Sequence, residues 1–169
     1  MSVLNKEVSL LYKVGEKIVY PMHGAGIITS FEEKEVLGSM QKYYVLEISG
    51  IDATHLVPVA TADAIGVRPV IKKEAVDEIY KLLSNYTEED TSNWNKRYRE
   101  NLRKMKTGVL EEVAKVVSSL SVRETEKPLS TSEKKMLNNA TNILVSELSL
   151  ATDETDEKIH NKIKEILSL

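Results

Sequence analysis

The sequence contains no cysteine. Disulfides, thiolate zinc sites, iron–sulfur clusters and cysteine nucleophiles are therefore excluded, and the composition fits a reducing compartment. Long apolar runs are missing too: nothing approaches the roughly 20 residues needed to span a bilayer. The opening "MSVLNKEVSLLYK" has no secretory pattern. These absences lead us to expect a cytoplasmic protein with no membrane partner. Excess positive charge is also lacking: 23 Lys and Arg face 26 Asp and Glu, for a net charge of −3. Such a chain does not coat nucleic acid by global attraction, so any contact with it must be local.

The signals of catalysis are equally sparse. His23, His55 and His160 fall in different expected elements, with no histidine or carboxylate partner at ligand spacing, so neither a metal nor a cofactor is expected. "HGAG" at 23–26 has glycines but no strand–loop–helix context, because "IITSFEE" continues as a strand; a tight turn is the simpler reading. The carboxylates lie in continuous charged runs ("FEEKE", "TEEDT", "TDETDE") that read as solvated surface. Serine occurs without a nucleophile elbow or a Ser-x-x-Lys context. The expectation is that the chain is not an enzyme. A hydrolase built on His23 or His55 is a rival that alanine variants of both would remove.

What is present divides into two periods. Over residues 12–69, short apolar runs ("EKIVYP", "HGAGIITSFEEKEV", "QKYYVLEISG", "ATHLVPV") alternate with turn residues. Tyr44, Leu46 and Ile48 alternate with Tyr43, Val45 and Glu47 at strand spacing. Five short strands in so short a stretch predict a small barrel that closes to hide its edges. From Lys72 the period becomes helical. Val76, Ile79, Leu82 and Leu83 form one stripe; Val109, Val113, Val116, Val117 and Leu120 form another. Ser130 and Glu133 have capping-box spacing for a helix burying Met136, Leu137, Ala140, Ile143, Leu144 and Leu148. A last helix, roughly 154–168, shows Ile159, Ile163 and Ile166. The fold class is α+β: an N-terminal small β-barrel (1–69), then a C-terminal α-helical bundle (70–169). The short connection at Val67-Arg68-Pro69 leaves a hinge open but no long linker, and residues 1–11 receive no role.

The single tryptophan stands in the most basic stretch of the chain, "NWNKRYRENLRKMK" (93–106). Lys96, Arg97, Arg99, Arg103, Lys104 and Lys106 face one acid, Glu100, giving residues 94–106 a charge of +5 and leaving −8 for the remainder. At 100° per residue, Trp94, Met105, Tyr98 and Leu102 fall within about 80° of one another, with Lys106, Arg99, Arg103 and Lys96 beside them. Two readings stay open. In one, the stripe packs on the bundle and the cations are a solvated face. In the other, Trp94, in the first turn beside the Thr91-Ser92-Asn93 capping cluster, is partly exposed and contacts bases while the cations hold phosphates.

Several separate motifs carry a resemblance. "YKVGEKIVYPMHGAGII" (12–28) resembles the opening of the CarD/CdnL family of bacterial transcription regulators. "NWNKRYRENLRKMKTG", "EVAKVV", "LSTSEKKML" and "ILVSEL" follow in the order and spacing of that family's helical domain, so the similarity covers residues 12–169. The resemblance implies a Tudor-like barrel that binds the β subunit of RNA polymerase, a module shared with the transcription-repair coupling factor. It also implies a helical domain on promoter DNA at the upstream fork of the melted bubble, with Trp94 as a minor-groove wedge that helps to hold the open complex.

Matched position by position, Arg99, Arg123 and Lys134 correspond to basic DNA-contact positions of the family. Lys34 and Leu56 correspond to two arginines that contact polymerase in one branch of it. Lys34 keeps the charge without the bidentate fork, and Leu56 keeps neither. The edge strand around "THLVP", with His55, Leu56 and Val57, could still dock by backbone pairing. Small Ser121 in "SLSVRE" replaces bulkier family residues and is expected to thin the DNA-facing surface. The implied function is a transcription regulator, monomeric with a homodimer left open, nucleoid-associated through RNA polymerase. The alternative is a protein–protein adaptor that uses the barrel to recruit a repair or stress factor, without DNA contact.

Overall fold

The computed structural model describes residues 11–87 and 93–168; residues 1–10 and the Thr91-Ser92 part of the capping cluster lie outside the described residues. Strands β1 (Lys17–Tyr20), β2 (Gly24–Val36), β3 (Ser39–Ile48), β4 (Thr54–Pro58) and β5 (Arg68–Pro69) form one antiparallel sheet of order β4-β3-β2-β1-β5. The alternation read from β3 holds: Tyr44, Leu46 and Ile48 are buried while Glu47 is exposed. A one-residue slip would turn all three outward, so the apolar pattern sets the register. Ile18, Ile28, Tyr44, Leu46, Val57 and Val59 close the core of this sheet. At Gly26 the backbones of β2 and β3 approach so closely that a Cβ would stand 2.3 Å from the Glu47 carbonyl oxygen. Of the two glycines in "HGAG", Gly26 therefore serves strand packing, while Gly24, at φ +121°, supplies the backbone freedom that the turn at Pro21-Met22-His23 needs to enter β2.

The sheet is not the closed barrel that strand count alone suggests. Among the described residues no ladder joins β4 to β5. β5 is two residues long and ends at Pro69, which has no N–H to offer a neighbour. Between the two strands runs a one-turn helix, α1 (Ala62–Ile65), too short to show periodicity, whose Ala62 packs with Val59 and Val67 in the sheet core.

After a 3₁₀ turn at Lys73–Ala75 come α2 (Val76–Asn85), α3 (Trp94–Lys106), α4 (Leu110–Glu126), α5 (Thr131–Thr152) and α6 (Asp156–Leu167). Their buried faces follow the helical stripes: Val76, Ile79 and Leu83; Val113, Val116, Val117 and Leu120; Met136, Ala140, Ile143, Leu144 and Leu148; Ile159 and Ile163. α4 packs against α2, α3, α5 and α6. Its small Ser118, Ser119 and Ser121 are buried along with Val113, Val116 and Val117, which lets its neighbours approach from several sides. Ser121 thus lies inside the bundle at 4% exposure and does not thin an outer surface; Val122 beside it is the exposed residue. Val109 is the N-cap of α4 and is exposed, outside the stripe. The Ser130–Glu133 capping box of α5 is present in both directions.

Sheet and helices are joined by polar contacts at a packed seam. Arg68 of β5 makes a forked ion pair with Glu147 of α5, at 2.6 and 2.9 Å, and donates to the Gly108 carbonyl at 2.8 and 3.0 Å. The same Glu147 carboxylate accepts from the Ile71 N–H at 3.0 Å. Ser146 Oγ accepts from the Ala25 N–H of β2 at 3.0 Å. Lys17 Nζ donates to the Leu150 carbonyl and to Asp153, both at 2.8 Å. Ser49 donates to Asp156, which also accepts from Ser149. Gly108, at φ +69°, lies where a Cβ would reach within 2.8 Å of Pro21 Cγ, so only glycine allows this closeness.

Candidate nucleic-acid interface

Helix α3 begins at Asn93, whose side chain caps it by accepting the Lys96 N–H at 3.2 Å. The first turn therefore presents Trp94 at the helix mouth, where it is 39% exposed. Its ring stacks on Tyr98 one turn later, with centroids 5.2 Å apart and an interplanar angle of 15°. Its Nε1–H donates to Ser130 Oγ, 3.1 Å away at the N-cap of α5. The N-termini of α3 and α5, each the positive end of a helix dipole, thus meet beside the indole.

Around α3 the six cations have different fates. Lys96, Arg99, Arg103 and Lys106 are exposed. Arg103 is bridged to Glu100 at 2.7 Å, and that hydrogen bond holds the Glu100 carboxyl below its usual range. Arg97 and Lys104 face inward at 4% and 7% exposure. Arg97 is ion-paired to Glu133 of α5 at 2.7 Å, and Lys104 donates to Tyr86 OH at 3.1 Å while lying over its ring. Burial takes these two out of the exposed basic arc. The inner face of α3 therefore comprises Arg97, Asn101, Lys104 and Met105, and the apolar stripe from Trp94 to Leu102 flanks it. An amphipathic reading misplaces a core face whose partners are a carboxylate and a phenol on other elements.

Lys134, one turn into α5 from Ser130, is exposed and lies 3.8 Å from Glu124 at the end of α4. Arg123, in the last turn of α4, is half-buried. Trp94, Ser130 and Lys134 thus share one end of the bundle.

On the sheet, β4 has a ladder partner on one side only among the described residues. The Val59 N–H bonds to the Lys42 carbonyl at 3.0 Å. Given the pairings Tyr43↔Pro58, Tyr44↔Val57, Val45↔Leu56 and Leu46↔His55, the alternation of antiparallel ladders turns the N–H of Leu56 toward the open edge. Pro58 falls on another such position, where its missing N–H costs no ladder bond. Leu56 and His55 are half-buried, whereas Val57 is fully buried and offers no side chain to a partner. Lys34 stands on the projecting β2–β3 ribbon opposite Gln41, 3.4 Å from Glu32 and past the last β3–β4 pair. One proximity has no signal in the sequence: the curl of the sheet brings His23 and His55 to a ring separation of 5.2 Å, with Tyr20 stacked on His23 at 4.3 Å. Burial, and then His55, lower the His23 pKa. Among the described residues no group of three or more metal-ligating side chains gathers here or elsewhere, and no helix is long and apolar enough to cross a membrane.

The family model for the CarD-like/TRCF RID domain matches residues 12–71, and that for the CarD C-terminal domain matches residues 78–164. A relative from Bacillus subtilis (strain 168), "Putative transcription factor YdeB", is 40% identical over 149 residues, covering 88% of this chain and 97% of that protein. With both halves matched in order and a relative similar over nearly its whole length, the chain belongs to the CarD/CdnL family of transcription regulators.

Proposed function

We propose that the protein binds the β subunit of RNA polymerase through the open edge of β4 and reaches promoter DNA with α3. There Trp94 wedges into the minor groove at the upstream fork of the bubble. Lys96, Arg99, Lys106 and Lys134 take the phosphates, with Arg103 and Arg123 at the margins of the contact. The observation that carries this reading is the 39% exposed Trp94 ring, held at the junction of two helix N-termini beside exposed cations. A ring buried as a core anchor would support the adaptor reading instead.

Phosphate contacts supply salt-sensitive affinity without sequence preference, and the few cations here make that affinity weak. Docking on polymerase raises the local concentration of α3 at the DNA and compensates for the weakness. The protein shifts the promoter equilibrium because it binds the melted state better than the closed one; equal affinity for both would shift nothing. A differential of about 1.4–2.7 kcal/mol prolongs open complexes about 10- to 100-fold.

A photo-crosslinkable residue at position 94 tests the placement directly. We expect crosslinks to promoter DNA at the upstream fork in open complexes. Crosslinks confined to protein would sink the reading.

A further inference from the structure

Trp94 is an exposed side chain of the interface, yet its surroundings are built around a buried ion pair. Ser130 Oγ accepts the Glu133 N–H at 3.2 Å and lies 3.2 Å from Glu133 Oε2, so its single proton is directed to that carboxylate. Both lone pairs are then used, one by the Glu133 N–H and one by the Trp94 indole N–H at 3.1 Å. The Glu133 carboxylate is itself fixed: Arg97 donates Nε at 2.8 Å and Nη2 at 2.7 Å to Oε1, and the two side chains are only 4% and 3% exposed. Arg97 sits three residues after Trp94 on the same helix. The chain of contacts Trp94–Ser130–Glu133–Arg97 therefore closes on itself across the mouths of α3 and α5.

We propose that Ser130, locked by Glu133 and Arg97, is the positioning residue for the Trp94 indole. This rests on the reading of Trp94 as the DNA-facing residue. An aromatic side chain in the exposed first turn of a helix has several rotamers open to it, and ordering it on contact with DNA would subtract from the binding it provides. Here the ordering is done in advance. Tyr98 covers one face of the ring and Ser130 holds the N–H edge. The rest of the ring is left outward in one orientation. Arg97, which charge alone would place on DNA, acts through Glu133 and Ser130.

The test is a cycle of variants measured in open complexes formed by the whole protein with RNA polymerase. Ser130→Gly removes the acceptor while leaving the cap of α5 nearly as good, and Ser130→Thr keeps both. Trp94→Phe keeps a ring without the N–H. We expect Ser130→Gly to shorten open-complex lifetime about 3- to 10-fold, the factor for one lost neutral hydrogen bond. Ser130→Thr should keep the lifetime of the wild type, and Ser130→Gly should add nothing in the Trp94→Phe background.

A second readout needs no DNA. The one indole N–H resonance of the free protein should shift and exchange faster with solvent in Ser130→Gly. An unchanged resonance, a lifetime unaffected by Ser130→Gly, a loss also seen with Ser130→Thr, or an equal loss in the Trp94→Phe background would each overturn the proposal. Failure of the underlying reading looks different: Trp94→Ala itself would then leave the lifetime unchanged.

Discussion

Arg97 and Arg99 stand two residues apart on one helix and face opposite ways, Arg97 into the bundle and Arg99 into solvent. Arg97 is sealed against Glu133 at 4% exposure, and Arg99 projects outward with its Nε on the Asn95 carbonyl. Removing one partner of a buried pair leaves the other charge uncompensated, so Arg97→Ala should cost about 3–5 kcal/mol in denaturant unfolding. Arg99→Ala should stay within about 0.5 kcal/mol of the wild type, the range of ordinary surface changes. If Arg99 holds a phosphate, its loss should weaken DNA binding evenly across sequences and reduce the salt slope by about one. Comparable unfolding midpoints for the two variants would contradict this division of labour.

At the scale of elements, the α3–α5 junction carries a dependence on pH. Burial would raise the Glu133 carboxyl, but the hydrogen bonds from Arg97 and Ser130 outweigh it and hold it below the usual carboxylate range. A lowered folded pKa means that the unfolded chain takes up the proton first. The contribution is therefore complete above the ordinary glutamate pKa, about 4.3, and is lost as pH falls from there through the folded value. Unfolding of the wild type followed from pH 6 to below pH 4 should show that loss, and Glu133→Gln should show less of it. Equal slopes would remove Glu133 as the source.

The β4 edge supports a separate prediction. Leu56→Pro deletes an outward N–H and spares the ladder to β3, so it should weaken binding to the polymerase β subunit about tenfold or more while the thermal midpoint moves little. Unaltered binding would show that docking does not use backbone pairing.

These elements also show what the sequence could carry. Tyr44, Leu46 and Ile48 on β3, and Val113, Val116, Val117 and Leu120 on α4, were legible because burial there follows local periodicity. The exposed arc of Lys96, Arg99, Arg103 and Lys106 was legible for the same reason. Arg97 and Lys104 were not, since their partners Glu133 and Tyr86 lie on other elements and no spacing within α3 announces them. The open sheet and the His23–His55 pair escaped because they depend on how distant strands curl.

At the scale of the whole molecule, two weak surfaces act as one only if the distance between them is set. The seam of Arg68, Glu147, Ser146 and Lys17 sets it, joining β1, β2 and β5 to α5. Glu147 is fully buried, and its carboxylate takes bonds from Arg68 and the Ile71 N–H. Arg68→Ala should therefore broaden the spin-label distance distribution between positions 54 and 96, reporting relative motion of the β4 edge and α3. A distribution as narrow as that of the wild type would assign the rigidity to apolar packing alone.

Open-complex lifetime reads both of the proposed contacts, the docking of β4 on polymerase and the Trp94 ring on DNA. On a promoter whose open complexes are short-lived, the wild type should prolong that lifetime about 10- to 100-fold. Trp94→Ala, still bound to polymerase, should restore most of the unassisted decay. Equal lifetimes with the wild type and the variant would rule out the wedge and return Trp94 to a structural role.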